Sequence, residues 1–148
     1  MAYRINNLNT YDLVTLDNGI ELKSPTGSCH RGSDTELFLY LFPENQSLDT
    51  FDKIFQNPDN LQEIRITDSN KQQIYDTLRG FKYLVSIGRE YQGAYHDGYD
   101  DNGEYYKITS DLVKILLRRE SPEDAIPKMQ ATMEYMAIMS DIDIDEEI

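Results

Sequence analysis

Apolar positions in this chain recur at two different periods, and the change of period divides it into elements. Tyr11-Asp-Leu-Val-Thr-Leu16 is a β-rich run, Asp17-Asn18-Gly19 supplies turn chemistry, and Ile20-Glu-Leu22 returns. That pattern predicts a hairpin, because glycine has no Cβ to oppose the positive φ of a tight turn. Ser24 to Asp34, SPTGSCHRGSD, is a loop by composition. Leu37–Phe42 is a short apolar run closed by Pro43 and bounded like a buried strand. Over residues 47–55 the period lengthens. Leu48, Phe51, Ile54 and Phe55 share a helical face, Ser47 can cap the orphan amides, and Asp49 lies near the positive helix end. Asn57-Pro58-Asp59-Asn60 then stops the helix.

Strand periodicity resumes at once. Leu61–Thr67 alternates, Asp68-Ser69-Asn70 turns, and Gln73–Leu78 can return antiparallel. After Gly80, the residues Phe81, Tyr83, Val85 and Ile87 are spaced two apart and are expected on one strand face. Tyr105–Ile108 and Asp111–Arg118 follow as strands. The second of these also fits a helix, but β-rich material precedes it and a fresh helix start comes directly after. That start is Ser121-Pro122-Glu123-Asp124, with a cap, a proline at the first helical position and acids in the first turn. Ile126, Met129, Met133, Met136 and Ala137 recur beyond it at helical spacing. The pattern therefore predicts an α+β protein: a compact, β-rich, antiparallel body over 1–120 with one short inserted helix, an amphipathic helical arm over 121–139, and an acidic tail over 140–148.

Composition narrows the class of function. The chain has 148 residues and a formal charge of −13. Phosphate binding needs clustered Lys and Arg, so nucleic acid is not expected as a direct partner, nor is an anionic membrane surface. A strongly acidic chain can instead imitate nucleic acid and fill a basic groove. No apolar run reaches the roughly 18–20 residues that span a bilayer, and the N-terminus lacks the order of a signal peptide. Cys29 is the only cysteine, so neither an intrachain disulfide nor a cysteine zinc cluster is possible. A structural thiol is the simpler reading of it, since nucleophilic chemistry would need an adjacent base.

One segment gathers candidate chemistry: YQGAYHDGYDDNGEYY, residues 91–106. Asp97, Asp100, Asp101, Asn102 and Glu104 could offer oxygen ligands to calcium, and His96 next to Asp97 could suggest acid–base work. The spacing satisfies no calcium-loop rule, however, and acids with glycines are what exposed turns require. Asp141-Ile-Asp-Ile-Asp145 begins like a calcium loop, but Glu146 stands where the turn glycine belongs. No phosphate loop, serine elbow or zinc-binding helix motif is present. No catalytic residue, metal site or cofactor is therefore expected. The tyrosines remain as a surplus. Tyr91, Tyr95, Tyr99 and Tyr105 are candidate partner-binding residues, because tyrosine gives rigid amphipathic contact area at small entropic cost. Extension of the core along the hairpin stem is the competing reading. Ile126, Met129, Met133 and Met136 are candidates too, either for a neighbouring subunit or for the chain's own body.

FDKIFQNPDNLQEIRITDSNKQQIYDTLRGFKYLVSI resembles the body of small proteins encoded in the tail and baseplate modules of phages and prophages of Gram-positive bacteria. The shared arrangement is a short helix ending in an N-P-x-N turn, a strand like Leu61–Thr67, a polar hairpin and a glycine-marked strand. A later strand then runs into an acidic-capped helix, as in LLRRESPED. The resemblance implies a non-enzymatic virion component, assembled in the host cytoplasm. Its implied partners are other tail, baseplate or fibre proteins, or further copies of itself. The long tyrosine-rich segment and the methionines of the terminal helix depart from that pattern, so no functional residue is carried over. An acidic inhibitor of a host nucleic-acid-binding enzyme is the alternative.

Overall fold

Alternation along the strands sorts Leu37, Leu39 and Leu41 to the same side as Val113, Ile115 and Leu117, and all six side chains are fully buried. They form one wall of the core in a computed structural model that describes residues 2–5 and 10–119. The strands are β1 (Tyr3–Arg4), β2 (Asp12–Thr15), β3 (Glu21–Ser24), β4 (His30–Arg31), β5 (Glu36–Leu41), β6 (Glu63–Asp68), β7 (Ile74–Arg79), β8 (Tyr83–Tyr99) and β9 (Tyr105–Arg118). One sheet has the order β1-β8-β9-β5-β4 and the other β3-β2-β6-β7. All pairs are antiparallel except β1 with β8. The body is thus β-rich with one short helix, as the periodicity predicts, and its first sheet is mixed.

The second sheet gives Val14, Leu22, Ile64, Ile66 and Leu78 to the same core. The helix α1 (Leu48–Gln56) adds Phe51 and Phe55, both essentially without solvent contact. Its start is the one read from the sequence: Ser47 is the cap and its side chain accepts the Thr50 N–H at 3.3 Å. The Asn-Pro stop becomes a 3₁₀ turn, Pro58–Leu61, so the following strand begins at Glu63 rather than Leu61.

The expected face shared by Phe81, Tyr83, Val85 and Ile87 does not form. The pairing of β8 with β9 slips between Leu84 and Ser86, leaving Val85 without a partner and 39 % exposed. This bulge moves the inward face onto Leu84 and Ile87, which pack on the core. A second slip, between Glu90 and Ala94, leaves residues 91–93 unpaired, with Tyr91 and Gln92 exposed and Gly93 buried. Tyr105–Ile108 and Asp111–Arg118 belong to a single strand. The predicted helix at 121–139 and the tail at 140–148, with Ile126, Met129, Met133 and Met136, lie outside the described residues.

Candidate functional site

The last cross-strand pair of β5 is Leu41 with Val113. Beyond it, β8 and β9 continue as a two-stranded arm from the Ala94–Ser110 pair to the Tyr99–Tyr105 pair, on the order of 20 Å at ~3.3 Å per residue. Only β1 flanks it, at Ala94 and Tyr95. Isolated two-stranded ribbons are marginal in water. This one is held by specific side chains on both faces.

On one face lie Tyr95, Asp97 and Tyr99 with Tyr105, Lys107 and Thr109. Arg4, brought alongside by β1, pairs with Asp97 at 2.8 Å, and the Tyr105 hydroxyl donates to the other Asp97 oxygen at 3.2 Å. Lys107 sits over the Tyr95 ring, 4.6 Å from its centre. Tyr99 and Tyr105 meet edge to face, with ring centres 5.9 Å apart, and are 73 % and 58 % exposed. On the opposite face His96 bridges the arm to the N-terminal strand. Its Nδ1 is 2.7 Å from the Ile5 carbonyl and its Nε2 is 3.2 Å from the Tyr106 hydroxyl. A carbonyl only accepts, so Nδ1 carries a proton, while Nε2 shares a hydrogen bond with the Tyr106 hydroxyl, which can donate or accept. Both nitrogens are thereby occupied in holding structure.

The acids at the tip have a local explanation. The Asp100 carboxylate accepts the N–H of Asn102 and of Glu104, each at 2.9 Å, while Gly103 takes φ +78° and donates to the Asp100 carbonyl. Asp100 is a turn-former, as expected of an Asx turn. The strand extends further than the composition suggests, and the loop proper is 100–104. Among the described residues, no three His, Cys, Asp or Glu side chains gather where they could hold a metal ion. No described helix is long and apolar enough to cross a membrane.

No protein-family model, curated protein or solved structure matches this chain. Of the tyrosines singled out from the sequence, Tyr95, Tyr99 and Tyr105 share a face. Tyr91 stands apart on the 91–93 bulge, 74 % exposed. Tyr95 is half-buried under Lys107, so part of the tyrosine surplus stiffens the arm instead of extending the core. Arg4 and Lys107 organise this face and carried no sequence signal, since the parallel pairing of β1 joins residues more than ninety positions apart.

Two other places hold reactive groups. A cleft of about 690 Å³ runs between the arm and the β3–β5 end, where Tyr11, Lys23, Phe42, Glu44, His96 and Ile108 line it. Lys23 is committed there to Glu44 at 3.2 Å and to the Tyr11 ring at 4.8 Å. Cys29 is half-buried against the core, 3.2 Å from the Ser24 hydroxyl, and burial pushes its thiol up. His30 follows it in sequence but turns to the outer face, stacked on Phe38 and Tyr40 with ring centres at 5.3 and 6.0 Å. Cys29 thus packs with the core and His30 with the outer-face rings.

Proposed function

We propose that the protein is a non-enzymatic adaptor that binds a partner protein through the tip and flank of the β8–β9 arm. One observation carries this reading. The two opposed, edge-to-face tyrosines Tyr99 and Tyr105 stand exposed at the end of an arm that Arg4, Asp97, Lys107 and His96 hold rigid. Large aromatic side chains held in one geometry lose little entropy on binding, which is the usual property of interface anchors. Tyr91 adds a second exposed ring farther down the arm.

The sequence resemblance supplies the setting: a phage-type tail or baseplate, with other tail or fibre proteins or further copies of the chain as partners. The 121–139 segment would contribute a second apolar contact through Ile126, Met129, Met133 and Met136. Sedimentation of the purified chain, alone and mixed with co-encoded tail proteins, tests this directly. The expected outcome is a stable complex that Tyr99→Ala/Tyr105→Ala abolishes. A wild-type chain that stays monomeric with every tail protein would count against the reading.

The charge of −13 favours one other function, an inhibitor that mimics nucleic acid. Such binding would weaken steeply with added salt, whereas an aromatic contact would not. Several acids are already committed to internal ion pairs, namely Asp97 with Arg4, Glu44 with Lys23, Asp76 with Arg31 and Glu63 with Arg79. That spends charge a mimic would present to its target.

A further inference from the structure

Cations sit over aromatic rings repeatedly on the β1-β8-β9-β5-β4 sheet. Lys114 lies 5.3 Å from the Phe38 ring centre and 5.7 Å from that of Tyr40, and Lys107 lies 4.6 Å from that of Tyr95. Lys107 and Lys114 lie on opposite faces of β9, so on the face of Tyr95 and Tyr99 the capped ring among the described residues is Tyr95, under Lys107. Among the described residues no cation lies over Tyr99 or Tyr105, although these rings are exposed and share a face with the capped Tyr95. From Asp97 to Lys107 the segment has Asp97, Asp100, Asp101 and Glu104 against the single Lys107. Arg4 neutralises Asp97 and the turn occupies Asp100, but Asp101 and Glu104 are exposed in the turn that joins Tyr99 to Tyr105.

We infer that the Tyr99–Tyr105 pair receives an arginine side chain of the partner protein, with Asp101 and Glu104 supplying its counter-charge. This rests on the adaptor reading and names the chemistry of its contact. Arginine suits the place better than lysine. Its flat, weakly hydrated guanidinium can lie on one tyrosine face and still direct N–H groups at a carboxylate, whereas an ammonium gives up more hydration to sit on a ring. The edge-to-face geometry leaves ring surface open while fixing both side chains, so the contact needs little ordering.

The test uses the full-length chain labelled in its tyrosine rings and backbone amides, followed by NMR at physiological ionic strength, with the Asp101 and Glu104 amides reporting in variants that lack the two rings. One short peptide carries two arginines and a second, otherwise identical, carries two lysines. The arginine peptide should shift the Tyr99 and Tyr105 ring signals and the Asp101 and Glu104 amides, with several-fold tighter binding than the lysine peptide. Tyr99→Phe/Tyr105→Phe should keep the response, because the ring face makes the contact. Tyr99→Leu/Tyr105→Leu should lose it. Equal responses to both peptides spread over the acidic surface, no ring shift at all, or an unchanged response in the leucine variant would each overturn the inference. Sedimentation separates it from the reading it rests on. If the leucine variant fails to assemble with tail proteins while the peptide leaves the rings unmoved, the adaptor stands and the arginine contact falls. If the rings respond but the leucine variant assembles normally, the adaptor reading falls instead.

Discussion

Asp12 is a carboxylate where the core would accept a neutral group more cheaply. It is 5 % exposed, and burial raises its pKa above the ordinary 3.8. The Gly27 N–H, donated at 2.8 Å, pulls the other way, and Asp68, its cross-strand neighbour, pushes up again. Between the ordinary value and the raised folded one, the folded protein keeps a proton that the unfolded chain has released. Raising the pH through that window therefore removes stability. Asp12→Asn keeps an oxygen for the Gly27 N–H and discards the charge. Its melting temperature at pH 7 should exceed that of the wild type, and the difference should shrink as the pH falls below 4, measured by circular dichroism across that range. A variant less stable than wild type at pH 7 would mean that the charged bond to Gly27 outweighs desolvation. Ser47 gives a simpler case. Its cap on α1 is exposed, so Ser47→Ala should cost about 1 kcal/mol in urea unfolding.

At the scale of elements, what could be read from the chain depended on how local the deciding contact is. The Asp17-Asn18-Gly19 hairpin and the capped helix rest on residues within a few positions, and both form where the pattern puts them. The strand choice for Asp111–Arg118 also holds, because Val113, Ile115 and Leu117 alternate inward. The bulges at Val85 and at 91–93 could not be read, since a register slip belongs to the pair of strands and not to either one. The tyrosines of the site were visible as a surplus and Asp97 as an acid among them; that Arg4 pairs with Asp97 was not, because β1 reaches the arm across the whole body. The second bulge shows what such a slip needs. Gln92 sits at φ +53° with its N–H held by Asp111 at 2.8 Å, and a Cβ on Gly93 would come within 3.1 Å of the fully buried Leu112. Gly93→Val should therefore destabilise the fold by roughly 1–3 kcal/mol, as overpacking does. Chemical denaturation reads the loss, and an unchanged midpoint would mean that Leu112 can move aside.

For the whole molecule, the question is whether the arm serves the fold or the partner. The main core is complete without the arm's distal rungs: its buried residues come from β2, β3, β5, β6, β7, α1 and the proximal part of β9, together with Leu16, Leu61 and Phe81 between elements, and Leu84 and Ile87 of β8 pack against them. The smaller cluster of Ile5, Tyr40, Ala94 and Leu112 anchors the arm at its root. Nothing in either cluster involves Tyr99 or Tyr105. Their truncation removes one edge-to-face pair in solvent and one hydroxyl bond to Asp97, whose ion pair with Arg4 remains. An exposed aromatic pair is worth about 0.5–1.5 kcal/mol beyond its buried area and a hydroxyl hydrogen bond about as much again, so Tyr99→Ala/Tyr105→Ala should lower stability by about 1–3 kcal/mol. Assembly with the partner should fall by more, since each anchor residue loses about 2 kcal/mol or more on truncation. The contrast between the two measurements is what identifies a binding element. A double variant that melts much earlier than wild type would place the tyrosines in the fold's own service, and the surplus of rings at the arm's end would then be structural.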